Sequence, residues 1–187
     1  MLAFVRCSMI MALALLAFGT HSALAAYVTD FTVGARTGSD LNTLSAHAYD
    51  TGVSVQAGQT LSVTVDPDSR WSIRTKTSGW KITADGVEDP VTITGDMGTG
   101  SFKRGTLVGY FLGNDGTTTT GYLGIGTAGL DWTATFDGTL FMVCWDTYFA
   151  DNFHSLDTSI SVTPIPGAAW LLGSGLIGLI GLRRKKA

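Results

Sequence analysis

An all-β chain folded as an antiparallel β-sandwich is predicted for the body of this sequence, and three observations predict it. Several short stretches between residues 26 and 162 alternate apolar and polar residues with period two. Clusters of Gly, Asp and Asn separate them, as turns between strands require. No stretch of ten or more residues there repeats apolar positions at helical spacing. Roughly eight to ten strands are expected, arranged as a sandwich. A signal peptide is expected before them and a membrane-spanning tail after them.

The first 25 residues place Arg6 before an apolar run from Met9 to Phe18, and end in Ala23-Leu24-Ala25. A charged start, a short apolar centre and an A-x-A ending are the features of a cleavable secretory signal. The apolar run is short for a membrane span, so cleavage before Ala26 is the preferred reading over a permanent anchor. The chain from Ala26 to Thr163 is about 138 residues, enough for one domain with its own core.

In chain order, the expected strands are 27–33, 51–55, 60–65, 91–94, 106–112, 121–125, 130–136, 139–145 and 159–162. The turns between them are Ala57-Gly58-Gln59, Asp66-Pro67-Asp68, Asn114-Asp115-Gly116 and Asp137-Gly138. The Thr117–Thr120 run is read as a solvated loop. Cys144 lies in the apolar run Leu140–Trp145 and has no cysteine partner once Cys7 leaves with the signal, so it is expected to be buried and inert.

The tail, residues 163–187, carries no charge from Ile165 to Leu182 and then Arg183-Arg184-Lys185-Lys186. A helix over 165–182 would reach roughly 27 Å, close to the hydrocarbon thickness of a bilayer. The basic end (183–186) would stay cytoplasmic while the preceding domain is outside. Thr163-Pro164-Ile165-Pro166-Gly167, followed by the apolar helix and the basic cluster, resembles the Val-Pro-Leu-Pro-Ala variant of the PEP-CTERM sorting signal. The resemblance implies an exosortase substrate, processed near Pro164 and Pro166 and released or retained at the cell envelope. It bears on destination, and the domain has to be read separately.

Within residues 26–163, 7 Lys and Arg face 15 Asp and Glu, a balance of −8 against −3 for the whole chain. Such a surface argues against nucleic acid or anionic lipid as partner. It suits cation binding, or solubility alone. Gly124-Ile125-Gly126-Thr127-Ala128-Gly129 matches G-x-G-x-x-G, but a strand-like segment follows where a dinucleotide site needs a helix, so these are read as turn glycines. The domain has two histidines, His47 and His154, one glutamate, Glu88, and no G-x-S-x-G or H-E-x-x-H. The expectation is therefore a protein that is not an enzyme.

The stretch between the last two strands is the most informative. It places Asp146, Asp151 and Asn152 on one short loop. Calcium takes six to eight oxygens from carboxylates, amides, carbonyls and water, and a strand-bracketed loop can converge them. Asp and Asn are also ordinary turn formers, and that reading stands beside the first.

Taken with Gly58–Val65, Trp71-Ser72, Gly105–Gly109 and Asp137–Phe141, this loop resembles the galactose-binding domain of the PA-I lectin family. The resemblance implies that Asp146, Asp151 and Asn152 hold a calcium ion that itself contacts two sugar hydroxyls. It also sets Asp85 on a second loop bordering the sugar. Trp145, Tyr148, Phe149 and His154 are the residues that could contact or stack on the ring, although aromatics beside a loop are more often the edge of the core. Trp145 stands where the family has Asn, and Phe153-His154 replaces a small Ser-Gly step, so calcium capacity is better matched than galactose specificity. The expected function is calcium-assisted binding of a glycan or exopolysaccharide of the envelope or biofilm matrix. The alternatives are a ligand-free structural protein of the surface or matrix and, behind it, a carbohydrate-active enzyme.

Overall fold

The computed structural model describes residues 27–36, 44–74 and 81–163, without the side chains of residues 88 and 89. All of them belong to one compact unit, Ala26–Ile165. The expected signal peptide, the membrane-spanning helix and the motif prolines Pro164 and Pro166 lie outside the described residues. Among those described, no helix is long and apolar enough to cross a membrane.

Among the described residues ten strands form: β1 (Tyr27–Gly34), β2 (Tyr49–Val55), β3 (Thr60–Val65), β4 (Arg70–Ser72), β5 (Asp85–Gly95), β6 (Gly98–Gly113), β7 (Leu123–Gly124), β8 (Leu130–Thr133), β9 (Gly138–Cys144) and β10 (Phe153–Thr163). They build two five-stranded sheets. One runs β1-β10-β3-β8 with β4 also on β10, and the other β2-β9-β6-β5 with β7 also on β6. Every pairing is antiparallel. With β4 and β5 set aside, the two sheets read β1-β10-β3-β8 and β2-β9-β6-β7, the strand order of a jelly roll.

Alternation in the sequence becomes the two faces of each strand. Leu61, Val63 and Val65 of β3 are buried, as are Leu156, Thr158, Ile160 and Val162 of β10, while the alternate residues face outward. The opposing sheet contributes Val53 and Val55 from β2, Leu107 and Phe111 from β6, and Leu140 and Met142 from β9. Contacts across the gap make the two sheets one sandwich. Phe111 stacks on Trp132 of β8 with ring centroids 3.8 Å apart, and the Trp71 indole donates to the Gly105 carbonyl at 3.0 Å. Each fully buried aliphatic side chain in such a core stabilises by about 1.5–3 kcal/mol.

The β2-β9-β6-β5 sheet also carries apolar side chains on its other face. Five rings run across it in contact: Phe102, Trp145, Tyr122, Tyr110 and Phe141. The Trp145 indole donates to the Val91 carbonyl at 2.8 Å, so this large side chain is buried with its N–H satisfied. Burial of Tyr122, helped by the Asp96 charge, pushes its phenol up to about 12.

Candidate functional site

The loop from Asp146 to Asn152 joins β9 to β10 at one end of the sandwich. Trp145 still belongs to the sheet, since its N–H donates to the Thr106 carbonyl and its carbonyl accepts from Gly105 N–H, both at 2.8 Å. The chain then leaves the ladder. A 3-10 turn at Phe149–Asp151 closes with Asn152 N–H on the Phe149 carbonyl at 3.1 Å. Phe149 anchors that turn: it is buried and stacks on His47 at 3.9 Å between ring centroids. The end of β1 straps the loop from the other side, with Arg36 donating to the Ala150 carbonyl at 3.3 Å and Ala35 N–H to the His154 carbonyl at 2.9 Å.

Asp146 is buried, at 4 % exposure. Its Oδ1 accepts from Thr147 N–H at 2.7 Å and Tyr148 N–H at 3.5 Å, and the Arg104 Nε lies 3.7 Å away. Burial raises its pKa above the ordinary carboxylate range, while those two N–H groups, the Asn152 amide and the Arg104 charge pull it back. Asn152 is fully buried, and its Nδ2 donates to the Ala35 carbonyl at 3.3 Å as well as toward Asp146. Its Oδ1 is buried with no hydrogen-bond partner among the described residues, and so is Oδ1 of Asp151. A buried acceptor left bare costs about 1–3 kcal/mol, and two in consecutive residues of one loop call for a physical reason. A bound cation or water would supply one.

The donor set is small. Among the described residues no three His, Cys, Asp or Glu side chains gather as a metal group. Two carboxylates and one amide are what this loop offers, so a calcium ion here would complete its shell from backbone carbonyls, water and ligand hydroxyls.

The other residues singled out by sequence divide clearly. Tyr148 is exposed at 57 % and offers a ring face beside the loop. His154 is exposed and holds φ +66°, a left-handed conformation uncommon for any residue with a side chain. Trp145 corrects the expectation: it is fully buried in the outer aromatic layer and has no face to present to a sugar. Asp85 comes to the same end of the sheet, because it pairs with Thr106, whose carbonyl bonds Trp145 on the other side. Two strand spacings, roughly 10 Å, separate its backbone from that of Trp145. Its carboxylate, however, accepts from Thr127 N–H at 2.7 Å and Thr127 Oγ1 at 2.6 Å, so both oxygens fasten the turn between β7 and β8.

Arg104 and Ala35 complete the surroundings of Asp146 and Asn152, and neither was visible as such in the sequence. They lie 42 and 117 residues from their partners, and only strand register brings them there. A shallow groove elsewhere, on the outer face of the β1-β10-β3 sheet, is lined by Asp30, Thr32, Thr64, Asp66, Asp157 and Ser159. Its carboxylates already accept hydroxyls, Asp30 from Ser159 at 2.5 Å and Asp157 from Thr32 at 3.2 Å. The loop with its bare acceptors is the stronger candidate. Comparison with protein-family models, curated proteins and solved structures returns no match.

Proposed function

We propose that this chain is an exported protein of the cell envelope or extracellular matrix whose β-sandwich is a calcium-assisted, lectin-like carbohydrate-binding module. The observation that carries the reading is a pair of acceptors, Asn152 Oδ1 and Asp151 Oδ1, buried without a hydrogen-bond partner among the described residues, on the loop that opens with the buried Asp146, a carboxylate bonded by the Asn152 amide. Exposed Tyr148 and strained His154 border the same loop and give a glycan something to rest on. Calcium would link the protein's carboxylates to vicinal hydroxyls of a sugar, a role that needs binding groups and no nucleophile. Export through residues 1–25 and exosortase processing near Pro164 and Pro166 account for both ends of the sequence. Intact-mass measurement on protein recovered from the envelope checks them: loss of residues 1–25 and of the 183–186 basic cluster is expected.

The domain's function is tested by thermal unfolding and a glycan array, each with and without calcium. If calcium binds only the native state, a hundredfold excess over its Kd adds about 2.7 kcal/mol of stability. Asp146→Ala and Asp151→Ala should remove that gain. One observation favours the ligand-free structural reading, namely the Arg104 guanidinium already facing Asp146. A melting temperature indifferent to millimolar calcium, with no glycan bound, would decide for that reading, whereas glycan binding that survives a chelator would remove calcium and leave a binding module.

A further inference from the structure

Charge in the β-sandwich is unevenly placed. From residue 105 to residue 163 the sequence has no Lys or Arg, so all the cations of the domain fall between Arg36 and Arg104. Strand register carries three of them to the end of the sandwich that holds the candidate loop. Gly34 pairs with Ser155 and Ala35 N–H bonds the His154 carbonyl, which sets Arg36 beside Phe153. On the other flank of β10, Ser72 pairs with Phe153. Lys81 lies across from Ser72, one step along from the Trp71–Ile82 bridge, and Arg74 follows Ser72 two residues on. Arg36, Arg74 and Lys81 are all exposed. The backbones of Arg36 and Lys81 bracket the start of β10 with three strand spacings, roughly 14 Å, between them. The opposite end of the sandwich differs in sign. Its turns, 56–59, 114–118 and 135–137, hold no Lys or Arg and expose Asp115 and Asp137.

At the loop end Asp146 is buried, Asp151 is half-buried and the Asp85 carboxylate is held by Thr127, whereas the three cations stand in solvent. Arg36 is also positioned: one of the five N–H donors of its guanidinium goes to the Ala150 carbonyl, which keeps the group against the loop. A guanidinium matches a carboxylate as donor fork to acceptor pair, and calcium accepts carboxylate and hydroxyl oxygens alike. Resting on the reading of this loop as a calcium-assisted glycan-binding module, we propose that the glycan is acidic, a polyuronate whose carboxylates meet Arg36 and Lys81 on either side of β10. Arg74 adds to the same positive field. The attraction is local. Exposed charges farther away than a Debye length, about 8 Å at physiological salt, are screened, so Asp115 and Asp137 at the far end do not repel such a chain.

The test is calorimetric titration of the full chain in detergent with oligogalacturonate and with its carboxyl-reduced, neutral counterpart, each in calcium and in chelator. Wild type should bind the uronate at least about tenfold tighter than the neutral chain. Arg36→Gln and Lys81→Gln should each weaken the uronate about fivefold and leave the neutral chain unchanged. Arg70→Gln is the control, because it deletes the same unit of charge from a guanidinium bonded to the Pro67 and Ser69 carbonyls of its own turn, and it should change little. Rising salt should weaken the uronate and spare the neutral chain, a measurement on wild type that needs no variant to fold. Equal affinity for the two chains, affinity unmoved by Arg36→Gln and Lys81→Gln, or an equal loss from Arg70→Gln overturns the proposal while the glycan-binding module stands. Uronate bound equally well in chelator supports the acidic ligand and removes calcium. Binding of neither chain overturns the proposal, and the calcium dependence of the melting temperature then decides the loop on its own.

Discussion

At Asp146, burial outweighs the N–H groups of Thr147 and Tyr148 and the Arg104 charge, so the carboxyl is held above its ordinary range. A carboxyl raised in the folded state favours its protonated form there, so it costs stability progressively as pH climbs from about 4, its unfolded value, through the raised folded one. Asp146→Asn should flatten that part of the stability profile, as urea unfolding between pH 4 and 7 would show. Asp85 has the opposite sign: the hydrogen bonds from Thr127 lower its pKa, so its contribution is present above about pH 4 and fades as pH falls through the folded value. Because Asp85 is exposed, water screens the effect and its amplitude should be small. Cys144 is 1 % exposed, and burial, then the Asp146 charge, raises its thiol pKa well above the usual value. Cys144→Ala should cost about 1 kcal/mol in chemical denaturation, and a thiol reagent should not label the folded wild type.

The turn between β7 and β8 shows what a short element can demand of one residue. Gly129 holds φ +79°, and a Cβ there would collide with the Val63 carbonyl of β3. Gly129→Ala should destabilise by more than about 2 kcal/mol in urea unfolding, since strain and a backbone clash add. Its neighbour Gly126 is also left-handed, at φ +57°, and strand β8 follows, so the G-x-G-x-x-G string is a turn as its sequence context implied. Strands with clean alternation were legible: β3 has the bounds its pattern gives, Thr60–Val65. Strand β4, three residues long, offers no period to read, and it exists because β10 and a bridge from Trp71 to Ile82 pair with it. Strands β5 and β6 extend well past their apolar centres, because the hairpin pairs Gly95 with Gly98 and continues through Thr94–Thr99 and Thr92–Ser101, which alone look like loop. The candidate loop was equally legible in part. Its own Asp146, Asp151, Asn152 and Tyr148 sit together by sequence, while the burial of Trp145 depends on Phe102 and Tyr122, which come from other strands.

Across the molecule, β10 is the strand on which assembly depends. It pairs with β1, β3 and β4, and the β1 ladder joins residues as far apart as Tyr27 and Val162. Contacts this distant make folding slow, in the range of milliseconds to seconds, which stopped-flow fluorescence of the tryptophans would measure. A chain ending at Asn152 should not fold at all, because Leu156, Ile160 and Val162 leave the core together and β1 loses its sheet partner; circular dichroism and Trp fluorescence would show it. The same strand has a mechanical meaning. The candidate loop enters β10 at Phe153, and Thr163 is its far end. A pull between loop and C-terminal end runs along β10 itself, which is already extended, so the load passes through one strand and the cross-strand bonds carry little of it. A pull between Tyr27 and Val162, paired side by side, would peel β1 away one bond at a time. Optical-tweezers handles at 151 and 163 should therefore show no unfolding step at forces where handles at 27 and 163 already unzip β1. Were a ligand held at the loop as proposed and the chain gripped beyond Thr163, the load would bypass both sheets and leave the sandwich unstrained.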